Sequence, residues 1–347
     1  MNELTLGLLG ALLATNQPLA VSNIIHEHTG VAIEVAANPV DRELREVMLA
    51  DDAAQDEVNA WIQEFESQSH TNKVEAGQAL GLRIQTRFNR VRSSYENFLH
   101  DHPDHARGHL AYGSFLNDTG DEDKAVLEYE ESKSLDPKNP AVWNNLANYY
   151  GEHSPVTKAF AYYAQAINLN PAEPVYYHNY GTTVYLFRKD AREYFHLDEQ
   201  QVFDKALGLY KQAMTIVPDN FVFATDFAES YYGIKPLRTN DALVAWTNAM
   251  QIAHTDAERE GVHLHLARVK IAAGFFDEAR GHLAAVTNAA YADMKKRLIQ
   301  SLADHEHPEA TETNAVKVVT PDPNVLAPVV LSSNLLTAPV ISPEHQP

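Results

Sequence analysis

The sequence predicts an all-α chain built as a solenoid of stacked helical hairpins, and three observations carry that prediction. Proline recurs at Pro103, Pro137 and Pro171, a constant spacing of 34 residues. Small and aromatic residues recur in step with those prolines. Helix formers and aromatics (16 Tyr and 13 Phe against 15 Gly in 347 residues) fill the middle of the chain, where β-branched runs bounded by turn residues are scarce. A period of that length belongs to repeat arrays, in which each unit buries its apolar side on its neighbours.

Residues 1–71 form an N-terminal helical segment, and two alternatives stand for its start. Leu4 to Ala14 is an apolar run of signal-peptide length, too short to span a bilayer, with Ala20 and Ser22 as a small-x-small pair. No Lys or Arg precedes it, so the basic start of an export signal is missing. The other alternative is a short amphipathic helix, broken at Pro18, that packs on the array. The first implies export and the second a cytoplasmic chain, which is the expected localisation. Within residues 41–68, Leu44, Val47, Val58, Trp61, Ile62 and Phe65 make one apolar stripe at helical spacing, which predicts a capping helix or helix pair.

About six hairpins and a closing helix are expected over residues 72–304. The most regular runs from Pro140 to Pro171. Ala147 and Ala159 are small where two antiparallel helices cross closely. Trp143, Leu146, Tyr150 and Tyr163 are large where the pair meets its neighbours. Pro171 cannot continue the second helix and so ends it. The preceding unit repeats the pattern with Tyr112, Gly113, Leu116, a turn at Gly120, Ala125 and Tyr129. The following unit has Tyr177, Tyr180, Gly181 and Val184, then Ala206, Tyr210 and Ala213. There the proline spacing grows from 34 to 47 residues, and Leu186–Val202 reads as a longer first helix, a loop and a new cap at Asp198. Phe227, Ala228, Tyr231, Ala242, Trp246 and Ala249 supply the next unit. Leu266, Ala267, Gly274, Ala279 and Leu283 supply the one after. Upstream, residues 72–103 read as a degenerate hairpin with Ala79, Leu82, Val91, Tyr95 and Phe98. Asn288–Ala303 reads as the closing helix whose polar outer face ends the array. Residues 305–347 hold seven prolines and Lys317 as their only Lys or Arg, which predicts a disordered tail. Its apolar pieces, VLAPVVL and LLTAPVI, are candidates for occupying a groove in this chain or docking on another.

Charge and composition exclude whole classes of function. A net charge of −20 repels nucleic-acid phosphates and anionic lipid, so no nucleic-acid partner and no membrane span are expected. Without cysteine there is no thiolate metal site and no thiol nucleophile. No glycine-rich phosphate loop, GxSxG elbow or HExxH pair occurs, so the chain does not read as an enzyme and no cofactor is expected.

The motif set resembles the tetratricopeptide-repeat family over about two thirds of the chain, and bacterial members of it in particular. Trp143, Leu146, Ala147, Tyr150, Ala159, Tyr163, Ala166 and Pro171 fill that family's eight signature positions. The resemblance implies a right-handed solenoid whose first helices line a concave groove for an extended peptide or a partner helix, and hence a protein-interaction scaffold. It places Asn144, Asn145 and Asn148, then His178, Asn179 and Thr182, then Asp226 and Tyr232, and finally His265 and Arg268 on that face. Amides suit such a face because each offers a donor and an acceptor to a peptide backbone. Asn145 and Asn179 hold the same position in successive units, as in an asparagine ladder for extended chains, or are merely tolerated polar residues. The chaperone-tail receptors of this family fit poorly. Asn148 and Asn179 match their amide positions, but Asn144, Val222 and Asp226 stand where cations should grip a carboxylate.

The second candidate chemistry is metal binding at His100-Asp101-His102-Pro103-Asp104-His105, three imidazoles and two carboxylates in six residues. Against it, the segment falls at a repeat junction and its proline belongs to the repeat signature. His263 and His265 lie two apart on a helix and point away from each other.

Overall fold

The computed structural model describes residues 38–68 and 73–306. The apolar segment at 4–14 and the proline-rich stretch from 307 lie outside the described residues. Among the described residues, regular structure is entirely helical and comprises fourteen α-helices and two short 3-10 turns. None of these helices is long and apolar enough to cross a membrane. The chain divides into two compact units, one through Tyr176 and one from Tyr177.

The first unit opens with α1 (Pro39–Ser67), capped by the Asn38 side chain, which accepts from Asp41 N at 2.8 Å, with proline at the first helical position. Leu44, Met48, Ala54 and Val58 are its buried residues, and it packs on α2 (Lys73–Asp101). Arg83 lies 3.7 Å over the Trp61 ring and Arg87 pairs with Glu57 at 2.9 Å, tying the two helices along their outer edge. Here the sequence expectation is corrected. Residues 72–103 are not a hairpin but one helix of 29 residues. No proline interrupts Leu82–Leu99, and its two glycines come earlier, so nothing turns the chain back; Leu82, expected in a core, is 66% exposed.

Two regular hairpins follow. The first is α3 (Ala106–Asp118) with α4 (Glu122–Leu135), and the second α5 (Pro140–Glu152) with α6 (Val156–Leu169). The α3–α4 turn passes through Gly120 at φ 83°, a conformation costly for other residues. Asn139 accepts from Ala141 N at 3.0 Å and Pro140 occupies the first turn, so α5 starts where the repeat predicts. The small positions do what their size implies. Ala147 and Ala159 are fully buried, and a Cβ on Gly113 would stand 2.7 Å from the Tyr129 ring.

In the second unit the helix α7 (Pro174–Leu186), from Tyr177 onward, packs on α9 (Glu199–Ile216) through Gly181, which faces Ala206 O and Leu209 Cβ. Between them the expected longer first helix is replaced by a separate short helix, α8 (Arg188–Phe195). The break falls at Phe187, and Arg188 Nη1 takes up the Tyr185 carbonyl at 2.7 Å. His196 closes α8 in the left-handed region, φ 56°. The new cap is at Asp198, where a reciprocal capping box with Gln201 starts α9. The next hairpin is α10 (Phe221–Glu229), extended by a 3-10 turn at Ser230–Gly233, with α11 (Thr239–Ile252). The last is α12 (Asp256–Ala272) with α13 (Phe276–Ala285). Then α14 (Ala292–Glu306) lays Met294 and Leu302 on α12 and α13, leaving its other face to solvent.

Candidate functional site

The polar face of the second unit is built by the first helices of three successive hairpins, α7, α10 and α12. α7 contributes His178, Asn179 and Thr182, α10 with its 3-10 extension Asp226 and Tyr232, and α12 Arg268, and lateral bonds tie each element to the next. His178 on α7 places Nε2 2.7 Å from Asp226 Oδ2 on α10, and its ring stacks on Phe223 at 4.7 Å. Its Nδ1 lies 3.4 Å from Asn179 Oδ1. Thr182 shares a 2.8 Å hydrogen bond with the Tyr210 hydroxyl of α9. One hairpin further, Tyr232 places its hydroxyl 3.0 Å from His265 Nδ1 on α12. Arg268, one turn on, sits 4.1 Å over the Tyr232 ring. His178, Asn179, Thr182, Asp226, Tyr232 and Arg268 all remain half-buried, with part of each side chain reaching solvent.

The electrostatics follow from burial. His265 is fully enclosed and stacks on Trp246 at 4.1 Å. Burial pushes its imidazole down to about 3, and the neighbouring Arg268 cation adds to the effect, so the ring is neutral. Its Nε2 has no hydrogen-bond partner among the described residues and lies 3.8 Å from Glu229 Oε1. Burial likewise pushes the Tyr232 hydroxyl well above its ordinary value, so it stays a donor. One nitrogen of Arg268, Nη1, is buried without a hydrogen-bond partner among the described residues. A guanidinium cannot shed its charge, so this is a fixed donor held against an aromatic face.

In the first unit the expected face is corrected at two positions. Asn144 is completely buried and donates to Asn145 Oδ1 at 3.2 Å, which removes it from any ligand. Asn145 is 5% exposed, and its amide donates to Ser114 Oγ of α3 at 3.3 Å. The roll of α5 turns Ala141, Val142, Asn144, Asn145, Leu146 and Ala147 all inward, so the amide of Asn145 is a tie between first helices. Asn148 stays half-buried, its Oδ1 accepting from the Tyr163 hydroxyl at 2.6 Å. Of the ladder pair, Asn145 belongs to the first unit and Asn179 to the second.

The histidines of the His100–His105 segment have separate partners. His105 caps α3, its Nδ1 accepting from Gly108 N at 3.0 Å, while Nε2 faces Asp41 Oδ1 at 3.3 Å. His102 packs on the Phe98 ring at 4.9 Å and faces Glu43 Oε2 at 3.2 Å. The imidazoles are drawn to different carboxylates of α1 instead of to one another. Long-range partners decide this, and Asp41 and Glu43 lie about 60 residues upstream. What the sequence did not reveal are the supports of the site, Phe223, Tyr210 and Trp246, which recur at repeat core positions and carry no sign of their polar neighbours.

Residues 106–139, which span α3, α4 and the turn into α5, match the family model of the tetratricopeptide repeat. This stretch is a tetratricopeptide repeat. The chain is similar to the photosystem I assembly protein Ycf3 of Cyanophora paradoxa, at 29% identity over 111 residues, 31% of this chain and 64% of that one. Its similarity to Ycf3 of Rippkaea orientalis is 28% identity over 112 residues, 31% of this chain and 65% of that one. The chain thus spans just under two thirds of the length of either relative. Among solved structures it is similar to PilW, a type IV pilus biogenesis factor, at 14% identity and a TM-score of 0.49, covering 67% of this chain and all of that one. The helix pairs seen here are those of the tetratricopeptide fold, a protein-interaction scaffold.

Proposed function

We propose that this tetratricopeptide-repeat chain is a scaffold that holds a protein partner, in extended form, along the polar face of α7, α10 and α12. The observation that carries this reading is the held donor, Arg268. Its Nη1 has no hydrogen-bond partner among the described residues, and the guanidinium packs over the Tyr232 ring. Arg268 is only half-buried, so a peptide carbonyl or carboxylate can meet the part of its cationic side chain that reaches solvent. His178, Asn179 and Thr182 on α7 and Asp226 on α10 supply further polar groups, oriented by their bonds to neighbouring side chains. Pre-fixed side chains lose little freedom when a peptide arrives. The names of the two Ycf3 relatives support a partner that is a subunit undergoing assembly.

The test is an array of immobilised twelve-residue peptides, acidic, neutral and basic, probed with the full chain. The best binders are then measured by anisotropy against Arg268→Gln and Asp226→Asn. Loss of a hydrogen bond to a charged group is worth roughly 1.5–3 kcal/mol, so Arg268→Gln is expected to weaken binding about tenfold or more with the unfolding midpoint unchanged. Equal affinity in wild type and both variants, or an array with no binders, rejects the reading.

A further inference from the structure

Where α4 begins and α5 ends, three potential ligand side chains meet in the first unit. Glu122 is the first residue of α4, Glu152 the last of α5, and His153 the residue that caps α5. The two helices pack on each other, so both ends come together although 30 residues separate them in sequence. One nitrogen of His153 and one oxygen of each carboxylate all lie within 4.8 Å of one another. This is the one group of three such residues among those described.

We propose that Glu122, Glu152 and His153 bind a divalent transition metal of the zinc class. The orientation of the imidazole is the main argument. Its Nδ1 lies 3.0 Å from the Tyr149 carbonyl, which can only accept, so Nδ1 carries a proton. Its ring is stacked on Tyr149 at 4.3 Å and 14°, which leaves it little freedom to turn. The other nitrogen, Nε2, points at Glu122 Oε2 from 3.0 Å. With Nδ1–H engaged, a neutral ring would set two lone pairs against each other at that distance. Something positive belongs between them, either a second proton or a metal ion.

A metal fits the surroundings in two ways. An imidazole whose far N–H is held by a backbone carbonyl is the usual support of a metal-bound histidine, because it sets both tautomer and ring plane. Two carboxylates and a neutral imidazole carry two negative charges, which a divalent cation balances and a single proton does not. One nitrogen and two oxygen donors select borderline metals such as Zn²⁺ over Ca²⁺ or Mg²⁺, which prefer oxygen alone. Zinc shells place ligand atoms about 3.3 Å apart, so the three side chains need close by only ~1.5 Å at most, within reach of rotation of the long Glu side chains. Bound there, the ion would clip the α3–α4 hairpin to the α5–α6 hairpin from outside. The site is separate from the peptide face and does not depend on it.

The test uses the full untagged chain, stripped with chelator, titrated with ZnCl₂ at pH 7.5 by calorimetry. One equivalent of Zn²⁺ is expected to bind, with affinity reduced at least tenfold in His153→Gln and in Glu122→Gln. A His100→Gln/His102→Gln double variant is expected to bind as wild type. Co²⁺ gives a second readout that does not rest on stability, since its visible d–d bands should appear in wild type and vanish in His153→Gln. The apo wild-type melting temperature should rise with Zn²⁺ and that of His153→Gln should not. Absence of a zinc heat, or unchanged affinity and cobalt spectrum in His153→Gln, overturns the proposal in favour of a protonated imidazole between carboxylates.

Discussion

Replacing Gly113 by alanine adds one methyl group where α3 crosses α4 at the shortest distance. The new Cβ would stand 2.7 Å from both Cδ1 and Cε1 of Tyr129 and 3.2 Å from the Ala125 carbonyl. Tyr129 is 4% exposed and the carbonyl belongs to a helix backbone, so neither can step aside cheaply. Overpacking of this kind costs about 1–3 kcal/mol, against which helix propensity returns roughly 0.5–1 kcal/mol for Gly to Ala. The expected outcome is a net loss of about 1–2 kcal/mol. Gly208 is the internal control. It lies within α9 with no heavy atom within 4 Å of a built Cβ, so Gly208→Ala should gain roughly 0.5–1 kcal/mol from propensity alone. Urea unfolding followed by circular dichroism reads both, with hydrogen exchange of α3 and α4 to localise the change, because repeat arrays need not unfold in one step. If Gly113→Ala were as stabilising as Gly208→Ala, the close crossing would not be what selects small residues at this position. Ala147 and Gly181, each 34 residues further on, would then not be small because of a close crossing either.

Two more expectations concern buried polar groups. Tyr232→Phe leaves His265 Nδ1, inside a fully buried ring whose Nε2 is already unbonded, without its hydroxyl partner. A loss of about 1–3 kcal/mol in urea unfolding is expected, and a neutral result would mean that the hydroxyl is not needed. The two units should also respond to pH with opposite sign, read by hydrogen exchange corrected for intrinsic rates. Burial pushes Asp52 up to about 7, with the Asp51 and Asp56 charges adding, and pushes Asp51 up to about 6 against the hydrogen bond from Tyr95. A raised carboxyl favours the folded state fully below its unfolded value near 4, and that contribution is lost as pH rises through 7. Asp52→Asn should therefore stabilise the first unit at pH 8 by about 1–2 kcal/mol and do little at pH 4. His265 runs the other way. Its folded value is depressed to about 3, so the contribution of the neutral ring is present above the unfolded value near 6.5 and declines as pH falls below it. Equal pH dependence in both units would contradict both assignments.

Much of the local architecture could be read from the chain itself. Helical period, turn residues and caps act over a few positions, so Asp198 and Gly120 carry their meaning on the sequence. Prolines 34 apart and small residues at 113, 147 and 181 likewise encode the hairpin crossing, because one helix pair meets itself only at fixed spacing. Where a signal had no such local marker the expectation failed. Residues 73–101 keep helical period throughout, and period alone does not say whether a helix turns back midway.

The site depended on tertiary structure. Asn144 and Asn145 are neighbours about 100° apart around α5, and only the packed roll of that helix turns both inward. The ties of His178 to Asp226 and of Tyr232 to His265 join residues 48 and 33 apart. The meeting of Glu122 with Glu152 and His153 spans a whole hairpin. Sequence thus determined which segments are helices and that they pair. How far each helix is rotated against the next was decided by packing, because burial of the large aromatic side chains fixes that angle and the polar groups are carried along with it.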